Sequence, residues 1–191
     1  KIVAANSLID LPLDVDSILV SYIDKLAELR NEFFSASSTR KTVIAHKYLS
    51  VRDELAQQAG IWQDKNRNLL KLVAWDPFSH DKCDWFEPKW MFGFEKFDIV
   101  ITNPPYLGES GHKEVFRAVR QGSLKEFYLG KMDLFYFFMH LALNVTHPNG
   151  IVAFITTNYF ITADGALKLR RDLKNRSTLL QLINFNELKI F

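Results

Sequence analysis

An apolar run that ends at two consecutive prolines is the feature of this sequence that most constrains the fold. Residues 97–102 are apolar except for Asp98 and Thr102, which is typical of a strand covered on both faces of a parallel sheet. The run ends at a four-residue motif made of Asn103, Pro104, Pro105 and Tyr106. Proline has no backbone N–H, so the loop offers carbonyl acceptors without matching donors. Because open α/β sheets bind ligands at the carboxyl ends of their strands, we expect a functional site at this motif.

Helical and strand patterns alternate after the motif. Helices are predicted at residues 112–120, 132–146 and 163–175, and strands at 151–157 and 179–185, with a Pro-Asn-Gly turn at 148–150. Such alternation predicts an α/β fold with a mostly parallel sheet. Before the motif, residues 1–5 have the pattern of a short strand. Residues 17–60 have the pattern of two amphipathic helices, interrupted by a Ser-rich break.

Composition excludes several classes of protein. A hydrophobic content of 48% indicates a folded core, and no apolar stretch is long enough to span a bilayer, so no membrane partner is predicted. The single cysteine, Cys83, excludes an internal disulfide and indicates either a reducing compartment or no dependence on the redox state; we predict a cytoplasmic location. His80 and Cys83 have no second pair of ligands, so no metal site is predicted. Since the net charge is only +2, any contact with nucleic acid must come from a local patch.

The segment Phe-Asp-Ile-Val-Ile-Thr-Asn-Pro-Pro-Tyr, residues 97–106, resembles the catalytic motif of S-adenosylmethionine-dependent amino-methyltransferases. The order of elements after it is similar to that of adenine-specific DNA methyltransferases fused to restriction enzymes (type IIG) and their phage-defence relatives. This resemblance covers roughly residues 85–191. It implies a Rossmann-like methyltransferase fold, S-adenosylmethionine as cofactor, and double-stranded DNA with a flipped adenine as substrate. Other amino-methyltransferases, acting on protein glutamine or RNA, and a non-catalytic module with this fold remain alternatives.

The resemblance also implies a division of the chain. Residues 1–16 would be a strand and loop of the methyltransferase core, and residues 17–60 a helical-hairpin insertion. Residues 61–96 would be an irregular Trp-rich connector, and residues 97–191 the C-terminal half of the catalytic core. The family's glycine-rich cofactor loop has no match here, because the eight glycines are scattered. We therefore expect part of a larger protein, with an incomplete cofactor pocket and no activity on its own.

Roles for individual residues follow from the same resemblance. The side chain of Asn103 and the carbonyl of Pro104 would accept the two hydrogens of the adenine amine, with Pro105 completing the loop. Tyr106 would stack on the base, and Phe191 matches the position of a second aromatic on its other face. Asn6, which follows the first predicted strand, would contact the cofactor; a plain turn or cap is the alternative.

Basic residues after the motif are candidates for contact with the DNA backbone. They are His112, Lys113, Arg117 and Arg120. A second basic run, between residues 168 and 176, is interpreted as a solvated helix face. Asp133 is interpreted as the start of the buried helix, because carboxylates suit a helix N-terminus. The four tryptophans of residues 61–96 are interpreted as packing residues, with base stacking as the alternative.

Overall fold

A computed structural model describes residues 2–13, 17–60, 67–79 and 81–185. The chain forms two compact units, Lys1–Glu95 and Lys96–Phe191. Across the described ranges there are seven α-helices and two β-strands. None of these helices is long and apolar enough to cross a membrane.

The first unit is helical. Its helices are α1 (Ser17–Ser35), α2 (Ser38–Gly60), α3 (Arg67–Ala74) and α4 (Pro88–Phe92). Helix α1 packs against α2, and α2 also packs against α3. The two helices predicted over residues 17–60 are therefore confirmed, and their apolar stripes explain the packing, since each stripe must be removed from water. Helices α3 and α4 fall within the segment predicted as an irregular connector.

Large side chains fill the core of the first unit. Leu26 and Leu55 are fully buried between the helices, and Tyr48 is 1% exposed. Trp75 and Trp85 meet edge to face, with ring centroids 5.8 Å apart. Trp90 is also buried in this cluster. Packing is thus what these three tryptophans do here, as interpreted from the sequence. The fourth, Trp62, lies outside the described residues.

The strand predicted at residues 1–5 is wrong for the described residues 2–5. They form a single parallel bridge, between Ala5 and Cys83. The amide of Cys83 donates to the carbonyl of Ala4 (2.9 Å), and the amide of Asn6 donates to that of Cys83 (3.1 Å). A strand exists only through its ladder, and one bridge leaves the rest of this segment without a partner strand.

The second unit is α/β. Strand β1 (Phe97–Thr102) runs parallel to β2 (Thr146–Phe154). The connection between them carries α5 (Lys113–Val119) and α6 (Leu134–Val145), and α7 (Leu167–Arg176) follows β2. Parallel strands need a long crossover, which these helices provide. The predicted helices and parallel pairing are confirmed, with helix ends shifted by a few residues. Helix α6, apolar on nearly all sides, packs against β2 and α7.

An irregularity in the sheet replaces the turn predicted at residues 148–150. Phe97 pairs with Thr146 but Ile99 pairs with Ile151, so three extra residues of β2 bulge out of the ladder. Gly150 makes this bulge possible. A Cβ there would lie 2.7 Å from the carbonyl oxygen of Asp98, closer than real side chains come.

Only one face of the sheet is covered, contrary to the prediction that β1 is buried on both. Ile101 is 78% exposed, and Ile99 and its partner Ile151 are more than half exposed. Within the described part of this unit no element packs over that face. The strand predicted at residues 179–185 is also wrong, because this segment is irregular and exposed. Its β-branched and aromatic residues favour a strand, but no described strand lies beside it to pair with.

Candidate active site

The motif at residues 103–106 begins where β1 ends. Thr102, the last residue of β1, pairs with Phe154, the last residue of β2. The amide of Ile155 then donates to the carbonyl of Thr102 over 3.3 Å. Because the strands are parallel, the segment after β2 lies beside the motif, at the edge where a site was expected.

The hydroxyl of Tyr106 connects these two segments. It donates to the carbonyl of Ile155 (3.0 Å) and lies 3.1 Å from the side-chain oxygen of Asn103. One O–H carries one hydrogen, so the two oxygens share it. The Tyr106 ring meets Phe135 of α6 edge to face, with centroids 6.1 Å apart. These contacts hold the ring in place while 43% of the residue remains exposed.

The motif is rich in hydrogen-bond acceptors, and three of its four residues are exposed. Asn103, Pro105 and Tyr106 are exposed, and Pro104 is buried. Neither proline has an N–H to donate, and no donor in the described ranges bonds to the Pro104 carbonyl. The Asn103 side-chain oxygen keeps a second lone pair beside its contact with Tyr106. Asn103 thus offers an acceptor at an exposed position, and the carbonyl of the buried Pro104 has no donor among the described residues.

The loop after the motif folds back onto the start of α6. The amide of Leu134 donates to the carbonyl of Leu107 (2.9 Å), and Gly108 forms a bridge with Asp133. Asp133 is the residue immediately before α6, as interpreted from the sequence. Its Oδ1 is buried and has no partner among the described residues. Burial raises the pKa of this carboxyl, and the nearby amides of Leu134 and Leu107 offset part of that effect.

The basic residues predicted to contact DNA lie on and beside α5. His112 precedes this helix, and Lys113 and Arg117 belong to it; all three are exposed. Arg120 is also exposed, but its guanidinium lies over the ring of Tyr128, 4.0 Å from the ring centroid. Their roles in DNA contact stay predictions.

The basic run between residues 168 and 176 is only partly a solvated face. Lys168 donates to the carbonyl of Tyr128 (2.8 Å), and Arg170 donates to those of Phe160 (3.0 Å) and Ala163 (2.6 Å). These two cations therefore hold loops together. Arg171 is exposed, as that interpretation requires.

Two predicted site residues remain, Asn6 and Phe191, and only Asn6 lies within the described residues. Asn6, in the first unit, is exposed, and its side chain accepts from the amide of Leu8 over 3.4 Å. This contact is typical of a local turn, which was predicted as the alternative role of Asn6 to cofactor binding. Phe191 lies outside the described residues. The role of each in binding stays a prediction.

Sequence reasoning missed the segment after β2 as part of this site. Ile155 supplies the carbonyl that holds Tyr106, and the hydroxyls of Thr156 and Thr157 are buried without a partner among the described residues. The contact with Ile155 depends on the register of the two strands, for which the sequence carries no local signal. The position of the segment at the carboxyl end of a predicted strand was the available indication.

The fold and the motif define a class of protein in which a parallel α/β unit carries an acceptor-rich loop at a strand end. A family model described as Eco57I restriction-modification methylase matches residues 23–191. The chain therefore belongs to the Eco57I restriction-modification methylase family.

Curated relatives agree with this assignment. The chain is similar to the Type II methyltransferase M.HincII of Haemophilus influenzae, at 30% identity over 98 residues, which are 50% of this chain and 20% of that protein. It is also 30% identical over 98 residues to Type II methyltransferase M.HindII of H. influenzae strain Rd, covering 50% of this chain and 19% of the relative. Type II methyltransferase M.BanIII of Aneurinibacillus aneurinilyticus is 24% identical over 99 residues, covering 51% and 16%. The chain thus spans only 16–20% of the length of these relatives.

Proposed function

We propose that this chain is part of a protein that transfers a methyl group from S-adenosylmethionine to the exocyclic amine of adenine in DNA. The protein would serve restriction-modification or a related defence system. Family membership supports DNA methylation as the activity. The observation that carries the choice of an amine is the motif loop, whose available groups are acceptors at the end of a parallel strand.

The loop has the chemistry that such a transfer requires. The lone pair of an aromatic amine is delocalised into the ring, so the amine is a poor nucleophile. When Asn103 Oδ1 and the Pro104 carbonyl accept its two hydrogens, they favour a pyramidal nitrogen with its lone pair directed at the methyl donor. The same oxygens stabilise the positive charge that develops on nitrogen as the new bond forms. No tuned general base is needed, because the methylated product releases its extra proton readily.

Tyr106 would hold both the target base and the side-chain amide of Asn103 in position. Its hydroxyl, shared between Asn103 Oδ1 and the Ile155 carbonyl, would limit the rotation of the Asn103 side chain. Its partly exposed ring is available to stack on an adenine that has left the helix. Extruding the base costs a few kcal/mol, and stacking offsets part of that cost.

The charge of the proposed cofactor is compatible with the acceptors at this edge of the sheet. S-adenosylmethionine supplies an activated methyl group on a cationic sulfur. A loop of proline carbonyls and an amide oxygen is compatible with that cation, because it presents negative partial charges and no backbone N–H from either proline. The parallel β1–helix–β2 unit is also the building block of a Rossmann-like sheet, which we propose as the fold of the complete domain. The division of the chain into core, insertion and connector remains part of this proposal.

The test uses the full-length protein and S-adenosylmethionine carrying a labelled methyl group. The label is expected in DNA, on adenine after hydrolysis to nucleosides. Label on cytosine would refute the choice of base. Label on protein or RNA in place of DNA would refute the proposal and favour another amino-methyltransferase. An absence of transfer to all three would favour a non-catalytic binding module.

Asn103→Ala tests the role of the motif. Loss of one preorganised electrostatic contact in a transition state typically costs about 10²–10³ in kcat, and we expect a loss of that size. Because Asn103 is exposed, thermal stability should stay close to wild type. Asn149→Ala is the matched control, since Asn149 is also exposed but lies in the bulge of β2. Full activity in the Asn103 variant would contradict the assigned role.

A further inference from the structure

Tyr159 is the most exposed aromatic side chain in the described part of the chain, at 68%. It lies in the 3-10 turn Asn158–Ile161, which follows the carboxyl end of β2. Four residues earlier, the carbonyl of Ile155 accepts the hydroxyl of Tyr106. The turn therefore starts at the same edge of the sheet as the proposed catalytic loop.

The turn that carries Tyr159 is fixed by hydrogen bonds. The carbonyl of Tyr159 accepts from the amides of Thr162 (3.2 Å) and Ala163 (2.9 Å). Arg170 of α7 donates to the carbonyls of Phe160, inside the turn, and Ala163, two residues after it, which joins the later part of this segment to a helix. An aromatic ring on a fixed support loses little conformational entropy when it binds.

The next turn, Asp164–Ala166, packs against the backbone of a positively charged residue, Lys131. A Cβ placed on Gly165 would be 2.3 Å from the carbonyl oxygen of Lys131, so the two backbones are in close contact. Lys131 is exposed and has φ 50°, a left-handed conformation that is unusual for lysine. Asp164, also exposed, carries the opposite charge on the same turn. Because Lys131 and Asp164 carry opposite charges, the proposal below rests on the ring of Tyr159.

We propose that Tyr159 stacks on a nucleobase of the substrate DNA that loses a stacking partner when the target base leaves the helix. The inference rests on the proposed function and adds a substrate-contacting residue to it. Extrusion of one base exposes the faces of its neighbours. A rigid aromatic beside the extrusion site replaces the lost stacking, and it does so without regard to sequence, because every base has a π-face.

The first experiment measures methyl transfer by the full-length protein on PCR-amplified DNA, whose adenine amines are all unmethylated. Tyr159→Ala is expected to raise the KM for DNA about tenfold, as for the loss of one stacked base, with a smaller change in kcat. Tyr159→Phe keeps the ring and should stay within about twofold of wild type. Tyr159→Leu keeps apolar bulk without the ring and should behave like the alanine variant. Phe94→Ala, which removes another exposed aromatic, is the control and should not change KM.

The second experiment measures binding of fluorescein-labelled single-stranded DNA, whose bases are already accessible, by anisotropy. Tyr159→Ala should weaken the affinity about tenfold, and Tyr159→Phe should not. An unchanged affinity and KM in Tyr159→Ala, or full retention in Tyr159→Leu, would overturn the inference. If the wild type binds DNA through Tyr159 but transfers no methyl group, the proposed function fails and the stacking role stands. If the wild type methylates DNA and the variants are all equal to it, only the stacking role fails.

Discussion

The two units of this chain differ in how completely they bury their apolar side chains and hydrogen-bond their buried polar ones. The first unit buries a continuous apolar cluster that includes Leu26, Leu55 and Trp85. It even provides acceptors for a buried arginine, because Arg30 donates to the backbone carbonyls of Lys89 and Trp90. The second unit leaves one face of its sheet exposed instead.

Buried polar atoms without partners show the same contrast. Among the described residues the first unit has one such side-chain atom, Nε1 of Trp90. The second unit has four, on Asp133, His140, Thr156 and Thr157. Three of these four residues adjoin the segments that meet at the motif. An unpaired buried polar group is costly, so we expect these atoms to bind water or a ligand, and we propose that the second unit carries the functional site.

Leu26→Ala should have the largest effect and should act on the first unit. Leu26 is fully buried, so its truncation is expected to cost about 2–5 kcal/mol of unfolding free energy. Hydrogen exchange read by mass spectrometry on the full-length protein would show faster exchange in α1–α3. Glu28→Ala, at an exposed position of the same helix, is the control. Equal loss of protection in β1 and β2 would show that the units unfold together, and the contrast between them would then break down.

Gly165→Ala should act on the second unit with an intermediate effect. The new Cβ would lie 2.3 Å from the Lys131 carbonyl oxygen, a backbone atom that cannot rotate away. Overpacking of this kind costs about 1–3 kcal/mol. Gly108→Ala is the matched control, because nothing lies within 4 Å of its Cβ position and its φ is −73°. The same exchange measurement, on peptides covering α7 and residues 128–133, checks the prediction; equal behaviour of the two variants would contradict the close contact.

The pH dependence of the second unit should be the smallest effect. Burial lowers the pKa of His140, and the contact of its Nδ1 with Asp172 (2.6 Å) opposes that shift only in part. Arg176 and Glu126 are the other charged groups that act on it. His140 therefore stays neutral in the fold at a pH where the unfolded chain takes up a proton. Stability should fall as the pH drops below about 6.5, the ordinary histidine value.

His140→Phe is the comparison for this prediction. Phenylalanine keeps a ring that can stack on Phe127, which lies 3.8 Å from the imidazole between centroids, but it cannot titrate. Chemical denaturation at pH 5 and pH 7.5 should give a smaller difference for the variant than for wild type. If wild type loses no more unfolding free energy than His140→Phe between pH 7.5 and pH 5, His140 is charged in the fold and the prediction is wrong.

Local patterns predicted much of the fold. The apolar stripes of α1 and α2 and the apolar composition of α6 place those helices, since helical spacing of apolar residues acts within one segment. The strands were less accessible. Residues 97–102 form a strand with a described partner, whereas residues 179–185, which were also predicted as a strand, have none and are irregular. Strand formation depends on a neighbour distant in sequence, and no local pattern reports whether that neighbour is present.

The candidate site divides in the same way. From the sequence alone came the motif of Asn103, Pro104, Pro105 and Tyr106 and its place at a strand end, because proline chemistry and apolar patterning are local properties. The tertiary structure alone decided that Ile155 holds the Tyr106 hydroxyl and that Tyr159 lies exposed on a fixed turn beyond it. The first follows from the register that pairs Thr102 with Phe154, more than fifty positions apart in the chain, and the second from the hydrogen bonds between the turn segment and Arg170 of α7. Contacts of that kind arise from packing whole elements together, and no single stretch of sequence encodes them.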